Sequence, residues 1–168
     1  MIGEKGQTLD CLFERCVEIK QHLKEKGPVR GLEGEERMPK LEVIDPWNFS
    51  TRYTFSPAVR KGNLLFISGM TATDNKGNVV GVGDIVAQTR HIFEKMKEVL
   101  AAAGGGFDDI VKTIDYITTM EGYKGTADVR REYFKNGFPA ATGIVVKELL
   151  RPEALIEIDA IAVLDGKS

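Results

Sequence analysis

Two acidic side chains stand inside an otherwise apolar stretch near the C-terminal end of the sequence. Ile156, Ile158 and Ala160 alternate there with Glu157 and Asp159. Alternation with a period of two residues predicts a β-strand that has one apolar face and one acidic face. Two interpretations fit the acidic stripe. It is either a solvated sheet face, or it contains a carboxylate in a pocket, where partial burial raises the pKa and allows proton transfer.

A second apolar run precedes this strand in the sequence. Residues 142–147 are small or β-branched, and a polar turn around Arg151, Pro152 and Glu153 separates the two runs. We interpret the stretch from residue 138 to residue 163 as a hairpin or strand pair.

Length and composition limit the class of protein. The 168 residues are 42% hydrophobic and 29% charged, which is typical of one soluble domain with a small appendage. The net charge of -2 provides no basic excess for binding nucleic acid. We expect no membrane partner, because no apolar run approaches the roughly 20 residues of a membrane span. The N-terminal residues lack the pattern of a secretory signal, so we expect a cytoplasmic protein.

The sequence contains few residues that bind metals. Cys11 and Cys16 are five positions apart on one predicted helix, and His22 and His91 stand beside neither a cysteine nor a carboxylate-rich motif. These spacings favour neither a disulfide framework nor a metal site. We therefore predict no metal and no cofactor.

The first 45 residues differ in character from the rest. Residues 8–26 have apolar side chains at helical spacing, and the following segment is rich in glycine, proline and charge. We predict an N-terminal helix and extended arm over residues 1–45 and a compact domain over residues 46–168. The helix must bury its apolar stripe against the main domain, a partner subunit or another protein.

The compact domain has a regular alternation of predicted elements. Two apolar runs separated by Lys61 and Gly62 predict a hairpin. Helices are predicted over residues 85–103 and 123–135, with a strand over residues 109–119 between them. With the last two strands, the order is β-β-α-β-α-β-β. We predict an α+β (or α/β) fold with one mixed sheet and two helices on the same face. The other face also has apolar residues, so we expect it to be buried in an oligomer, and a cyclic trimer fits.

Six short motifs occur in this domain between Phe55 and Val163, over about two thirds of the chain. They are F-S-P-A-V at 55–59, G-N-L-L-F-I-S-G at 62–69, D-I-V-A-Q-T-R at 84–90, F-D-D-I-V-K-T at 107–113, F-P-A at 138–140 and I-E-I-D-A-I-A-V at 156–163. Together these motifs resemble the Rid (reactive intermediate deaminase, YjgF-like) family.

The resemblance implies a chorismate-mutase-like fold and a homotrimer with a central barrel. It also implies small-molecule pockets between the subunits. Members of known activity hydrolyse enamines and imines to release ammonia, without a metal or an organic cofactor. Ribonuclease activity has also been claimed for the family, but this sequence has neither a histidine pair nor a basic groove for that reaction.

Several positions match residues with roles in the family. Glu157 matches the glutamate that positions the attacking water, and Ser68 and Gly69 match a pocket-lining pair. Gly143 matches a position whose backbone meets the ligand. Phe55 stands where well-known members have tyrosine, so the hydroxyl group is missing.

The largest departure from the family is Ala141. The family motif there is commonly P-A-R-[ST], and its arginine binds a substrate carboxylate through paired hydrogen bonds. This sequence has P-A-A-T. Arg52 or Arg151 is a candidate for a displaced cation, and a solvated surface arginine is the alternative for each. Thr142 is either a hydrogen-bond donor to the substrate or a structural strand residue.

Two functions follow from these residues. The first is hydrolytic deamination of an enamine or imine, with a substrate preference altered by the missing arginine and a place in amino-aromatic degradation. The second is a non-catalytic module that binds a small ligand, or that binds another protein through the N-terminal helix.

Overall fold

The structure is a computed structural model that describes residues 40–165. The helix predicted at residues 8–26, most of the predicted arm, both cysteines and His22 lie outside the described residues. The described strands are β1 (Glu42–Ile44), β2 (Ala58–Lys61), β3 (Leu64–Thr71), β4 (Ile110–Ile117), β5 (Ala140–Val145) and β6 (Ile156–Val163), and the α-helices are α1 (Ile85–Ala102) and α2 (Thr126–Tyr133).

The six strands form one mixed sheet in the order β1-β2-β3-β6-β4-β5. Only β4 and β5 are parallel, and the other neighbouring strands are antiparallel. This confirms the predicted α+β fold with a mixed sheet. The β2–β3 hairpin is also confirmed, and Gly62 takes a φ of 64° at its turn, a conformation that glycine adopts without steric cost.

The predicted hairpin between the last two strands is wrong. Strand β4 lies between β5 and β6, so these two strands share no hydrogen bonds. The physical reason is the helix α2, which returns the chain to the start of β4 so that β5 runs parallel to it. Residues 146–155 then carry the chain past β4, and β6 pairs on both of its edges with β3 and β4.

Both helices cover the same face of the sheet. Asp84 caps α1 by accepting hydrogen bonds from the backbone nitrogens of Val86 and Ala87, as its position in the sequence predicts. One core cluster joins the buried helix residues to the buried strand residues. It includes Ile92, Phe93, Met96 and Leu100 from α1, Val129 from α2, and Ile156, Ile158 and Ala160 from β6.

The opposite face of the sheet, which we call the open face, is not covered within residues 40–165. Glu157, Asp159 and Ile161 of β6 alternate with the buried residues and therefore point to this face. Large apolar side chains are exposed there, including Leu64 and Phe66 of β3 and Ile144 of β5. A partner chain is the usual way to bury such a surface.

Candidate functional site

A β-bulge in β3 shapes the centre of the open face. Ile67 pairs with Ala160 and Met70 pairs with Ile158, so Ser68 and Gly69 together stand opposite the single residue Asp159. Bulges of this kind change the direction of the strand and are common beside functional sites. This one lies at the two positions that the family resemblance assigns to the pocket.

Glu157 extends over the bulge. A Cβ atom at position 69 would overlap the Oε1 atom of Glu157, so glycine at this position gives the carboxylate its space. Burial raises the pKa of Glu157 above its ordinary value, and the negative charge of Asp159 raises it further. The carboxylate therefore releases its proton at a higher pH than an exposed glutamate, which suits a group that exchanges protons with a substrate.

Tyr116 of β4 is the cross-strand neighbour of Glu157. Its hydroxyl donates a hydrogen bond of 3.1 Å to Oδ2 of Asp159. Burial raises the pKa of Tyr116, as does this hydrogen bond. The sequence alone does not reveal Tyr116 as a site residue, because only the register between β4 and β6 places it beside Glu157.

These residues form the floor of a cleft of about 410 Å³. Gly69, Tyr116, Glu157 and Asp159 line the floor, and Val146, Glu148, Leu149 and Leu150 line the wall. The cleft is therefore acidic at Glu157 and Asp159, and its wall is aliphatic except for Glu148. A slightly larger cleft of about 460 Å³ lies between α1 and α2, but its polar side chains already bond to one another: Arg90 pairs with Glu132, and the Tyr133 hydroxyl donates a hydrogen bond to Glu94.

The chain segment that forms the wall is fixed by a buried glutamine. Gln88 of α1 is fully buried, and its Nε2 atom donates hydrogen bonds to the carbonyl oxygens of Glu153 and Gly81. Its Oε1 atom accepts a hydrogen bond of 2.7 Å from the nitrogen of Leu155. These bonds hold the segment 146–155 against the helix and position the residues that face the cleft.

Of the predicted residues on β3 and in the segment before β2, Gly69 lines this cleft. The Ser68 hydroxyl donates a hydrogen bond of 2.7 Å to the carbonyl oxygen of Ser56, which links β3 to the residue after Phe55. The Phe55 ring packs against Phe49 and Tyr53. Arg52 is exposed beside this group.

The predicted residues on β5 are not brought to Glu157 within one chain. Ala141 pairs with Thr113 and Gly143 pairs with Asp115, and both partners are buried on the helix-covered face. Glu157 points to the opposite face. Thr142 does face the open side, where its hydroxyl accepts a hydrogen bond of 2.5 Å from Lys112.

A buried ion pair that the sequence analysis missed lies behind β5. The Nη2 atom of Arg130 lies 2.6 Å from Oδ1 of Asp115 and also contacts Oδ2. The Tyr123 hydroxyl donates a further hydrogen bond of 2.8 Å to Oδ2. Only 15% of the arginine side chain and 2% of the aspartate side chain are exposed. The pair fixes α2 to β4 and so supports the edge strand.

Other features of the described residues have less bearing on the site. No group of three or more metal-binding side chains occurs within residues 40–165. No helix in the same range is long and apolar enough to cross a membrane. His91 lies with its Nε2 atom 3.1 Å from the carbonyl oxygen of Thr73.

The fold and the cleft together define an α+β protein with an acidic cleft on the open face of a mixed sheet. The family model described as Endoribonuclease L-PSP matches residues 48–164, and the chain belongs to this family. It is the same family as the Rid, or YjgF-like, proteins, so the resemblance seen in the sequence is confirmed.

Individual relatives match most of the compact domain. The chain is 34% identical over 125 residues to a 3-aminoacrylate deaminase of Acinetobacter baylyi, which covers 74% of this chain and 98% of that protein. It is 38% identical over 108 residues to a RutC family protein of Pyrococcus horikoshii, and this match covers 64% of this chain and 85% of that protein. A Rid-family structure from Yersinia pestis matches with a TM-score of 0.68 and 33% identity, covering 74% of this chain and 99% of that chain.

The charge on Asp159 provides a test of the site that does not depend on activity. Replacing Asp159 by asparagine is expected to lower the pKa of Glu157, because it removes the negative charge that raises this pKa and leaves burial as the remaining cause. An NMR titration of the Glu157 carboxyl carbon measures the change. Asp128→Asn on the exposed side of α2 makes the same charge change and should leave this pKa as it is.

The same substitution has a predicted effect on stability. A raised pKa means that Glu157 contributes most to stability below its ordinary value of 4.5, and that this contribution is lost as the pH rises through the raised pKa. As the pH rises from about 4.5 through the raised pKa of Glu157, the Asp159→Asn variant should therefore lose less stability than the unmodified protein. An equal loss in both proteins would contradict the proposed coupling of the two carboxylates.

Proposed function

We propose that the chain is a cofactor-free hydrolase that releases ammonia from an enamine or an imine. One observation carries the proposal: Glu157 stands partly buried in a cleft with a raised pKa, and its carboxylate occupies the space that a side chain at Gly69 would fill. The relative in Acinetobacter baylyi is named as a deaminase of 3-aminoacrylate, and that compound has its amino group on a carbon–carbon double bond.

The proposed reaction needs only water and one group that exchanges protons. An enamine first takes a proton from solvent on carbon and becomes an iminium ion. Glu157 then accepts a proton from water as the water oxygen bonds to the iminium carbon, which gives a carbinolamine. Glu157 returns this proton to the nitrogen and the carbon–nitrogen bond breaks. Ammonia leaves, and the hydroxyl group releases its proton to solvent as the carbonyl group forms. Because the iminium carbon is already electrophilic, positioning and proton transfer supply the catalysis.

The substrate preference is proposed to differ from that of family members with the arginine. Ala141 provides no cation, and the part of the cleft lining described here contains the acidic side chains Glu148, Glu157 and Asp159. A small carboxylate placed at the floor of this cleft would be repelled by them. A neutral or larger substrate, such as an intermediate of amino-aromatic degradation, fits the aliphatic wall better.

The working form is proposed to be a homotrimer with its pockets between subunits. Exposed apolar side chains on the open face support this assembly, as does the edge of β5, which has no strand partner among the described residues. Ala141 and Gly143 lie away from Glu157 within one chain. A neighbouring subunit would place its β5 residues near this Glu157 and complete the pocket.

Phe66 provides a test of the assembly. Its side chain is 44% exposed on the open face, so Phe66→Glu would place a charge in the proposed interface. The variant is expected to be monomeric in analytical ultracentrifugation, whereas the unmodified protein has three times the chain mass. Val82→Glu is a control, because Val82 is also exposed but lies in the turn before α1. An unmodified protein of single-chain mass would contradict the trimer.

Ammonia release by the purified protein tests the reaction. The protein is offered a small 2-imino acid generated in the assay, a neutral imine, and an aminomuconate from aromatic ring cleavage. Activity on the imino acid would mean that another cation replaces the missing arginine. Activity on the other two alone would identify Ala141 as a change of specificity. Inactivity on all three would contradict the proposal and favour a non-catalytic ligand-binding module.

A further inference from the structure

Three aromatic rings cluster before β2, and we call Phe49, Tyr53 and Phe55 the aromatic corner. The Phe49 and Tyr53 rings stack with centroids 4.1 Å apart, and the Phe55 ring lies 5.3 Å from Phe49 and 5.8 Å from Tyr53. Even so, Phe55 is 52% exposed and Tyr53 is 37% exposed. The packing holds the rings in fixed positions while one side of the cluster stays open to a planar ligand.

Arg151 lies at the edge of the aromatic corner. Its Nη2 atom donates a hydrogen bond of 3.3 Å to the hydroxyl oxygen of Tyr53. Among residues 40–165, no carboxylate lies within ion-pair distance of this arginine. A guanidinium group has five N–H donors in a planar fork that matches a carboxylate, and within the described part of the chain the Arg151 side chain hydrogen-bonds to Tyr53 alone.

A second cation increases the positive potential at this place. Lys95 of α1 donates hydrogen bonds to the carbonyl oxygen of Thr71, at 3.0 Å, and to the Thr73 hydroxyl, at 2.9 Å. Burial lowers the pKa of Lys95 to about 8, and the positive charge of Arg151 contributes to the shift. The two cations therefore lie close enough to repel, and a bound anion would relieve the repulsion.

Three connections place the aromatic corner and Arg151 beside the cleft of Glu157. Leu150, the residue before Arg151, lines the cleft. Thr71, which holds Lys95, is the cross-strand partner of Glu157. Phe55 precedes Ser56, whose carbonyl oxygen accepts the hydrogen bond from Ser68 at the bulge. We call Arg151 and the aromatic corner the rim, which adjoins the acidic cleft next to Leu150 and does not itself line it.

We propose that this rim binds a planar unsaturated carboxylic acid. Arg151, oriented by Tyr53, holds the carboxylate through paired hydrogen bonds, and the conjugated body of the ligand lies on the Phe55 ring. The inference rests on the proposed deaminase function, for which it names the substrate class: an enamine or imine acid with an extended conjugated chain or ring. The carboxylate stays at the rim, away from the acidic floor where the reaction occurs.

Binding of two unreactive ligands tests the rim separately from catalysis. Trans-cinnamate and its primary amide have the same planar shape and differ in charge, and isothermal titration calorimetry measures the affinity of the full chain for each. Because hydrogen bonds to a charged group are stronger than those to a neutral one, we expect the acid to bind roughly 10- to 100-fold more tightly than the amide. Arg151→Gln should remove this preference and leave the affinity for the amide unchanged.

Two further variants complete the test. Arg131→Gln makes the same charge change on the exposed side of α2 and should keep the preference for the acid. Tyr53→Phe removes the hydroxyl that orients Arg151, keeps the ring, and should weaken binding of the acid alone. It also provides the test if Arg151→Gln fails to fold.

Four results would overturn the inference. The first two are equal binding of the acid and the amide, and no binding of either at millimolar concentration. The other two are a preference for the acid that survives Arg151→Gln, and a loss of this preference in Arg131→Gln as large as in Arg151→Gln. The ligands contain no C=N bond, so these results do not depend on turnover. Preferential binding of the acid together with failure of the ammonia assay would contradict the proposed reaction and leave the ligand class intact.

Discussion

Replacing Glu157 by glutamine is expected to reduce ammonia release by about 10²- to 10⁴-fold, the usual contribution of a general acid–base group. The variant keeps the size and shape of the side chain and removes its ability to accept a proton. Glu157 is only partly buried on the open face and is not part of the hydrophobic core, so the fold should be unchanged. Turnover is compared at saturating substrate, with circular dichroism and the oligomeric mass as checks on structure.

The pH dependence of turnover gives a second measurement on the same variant. As a base, Glu157 must be ionised, so activity should increase as the pH rises through its raised pKa. This part of the pH profile should disappear in Glu157→Gln. Glu121→Gln, which changes an exposed carboxylate in the loop before α2, is the matched control. Unchanged turnover in Glu157→Gln would eliminate the proposed mechanism.

Replacing Arg130 by methionine is expected to lower the free energy of unfolding by about 3–5 kcal/mol, the usual cost of removing one partner from a buried ion pair. The substitution leaves the Asp115 carboxylate, whose residue is only 1% exposed, with the Tyr123 hydroxyl as its remaining side-chain donor. Methionine retains most of the length of the arginine side chain, so the loss reports the charge and its hydrogen bonds. Chemical denaturation measures the change.

Arg131→Met is the matched control for this prediction. Arg131 pairs with Asp128 on the same helix, but both side chains are exposed, and such pairs contribute about 0–1 kcal/mol. A second variant, Asp115→Val combined with Arg130→Met, should recover part of the loss because no buried charge remains. Equal destabilisation by Arg130→Met and Arg131→Met would show that the buried pair has no special role.

The sequence by itself determined the faces of the strands and the bounds of α1. The second helix was predicted too long, over residues 123–135, because Tyr123–Gly125 form a 3-10 helix and α2 spans Thr126–Tyr133. Alternation along β6 placed Glu157 and Asp159 on the face opposite the core, and the burial pattern agrees. Asp84 and the glycines after Ala103 marked the ends of α1 within one residue. These features depend on neighbours along the chain, which is why periodicity and capping reveal them. The short motifs were also sufficient to identify the family, which the family model confirms.

Only the tertiary structure decided which strands are neighbours and which side chains meet. The insertion of β4 between β5 and β6 depends on pairing between distant parts of the chain, and local periodicity contains no information about it. The same pairing brings Tyr116 beside Glu157 and separates Ala141 from it. The contact of Arg151 with Tyr53 spans 98 positions in sequence, and that of Arg130 with Asp115 joins a helix to a strand. Each residue was visible in the sequence, but its partner was fixed by strand register and by helix packing on the sheet.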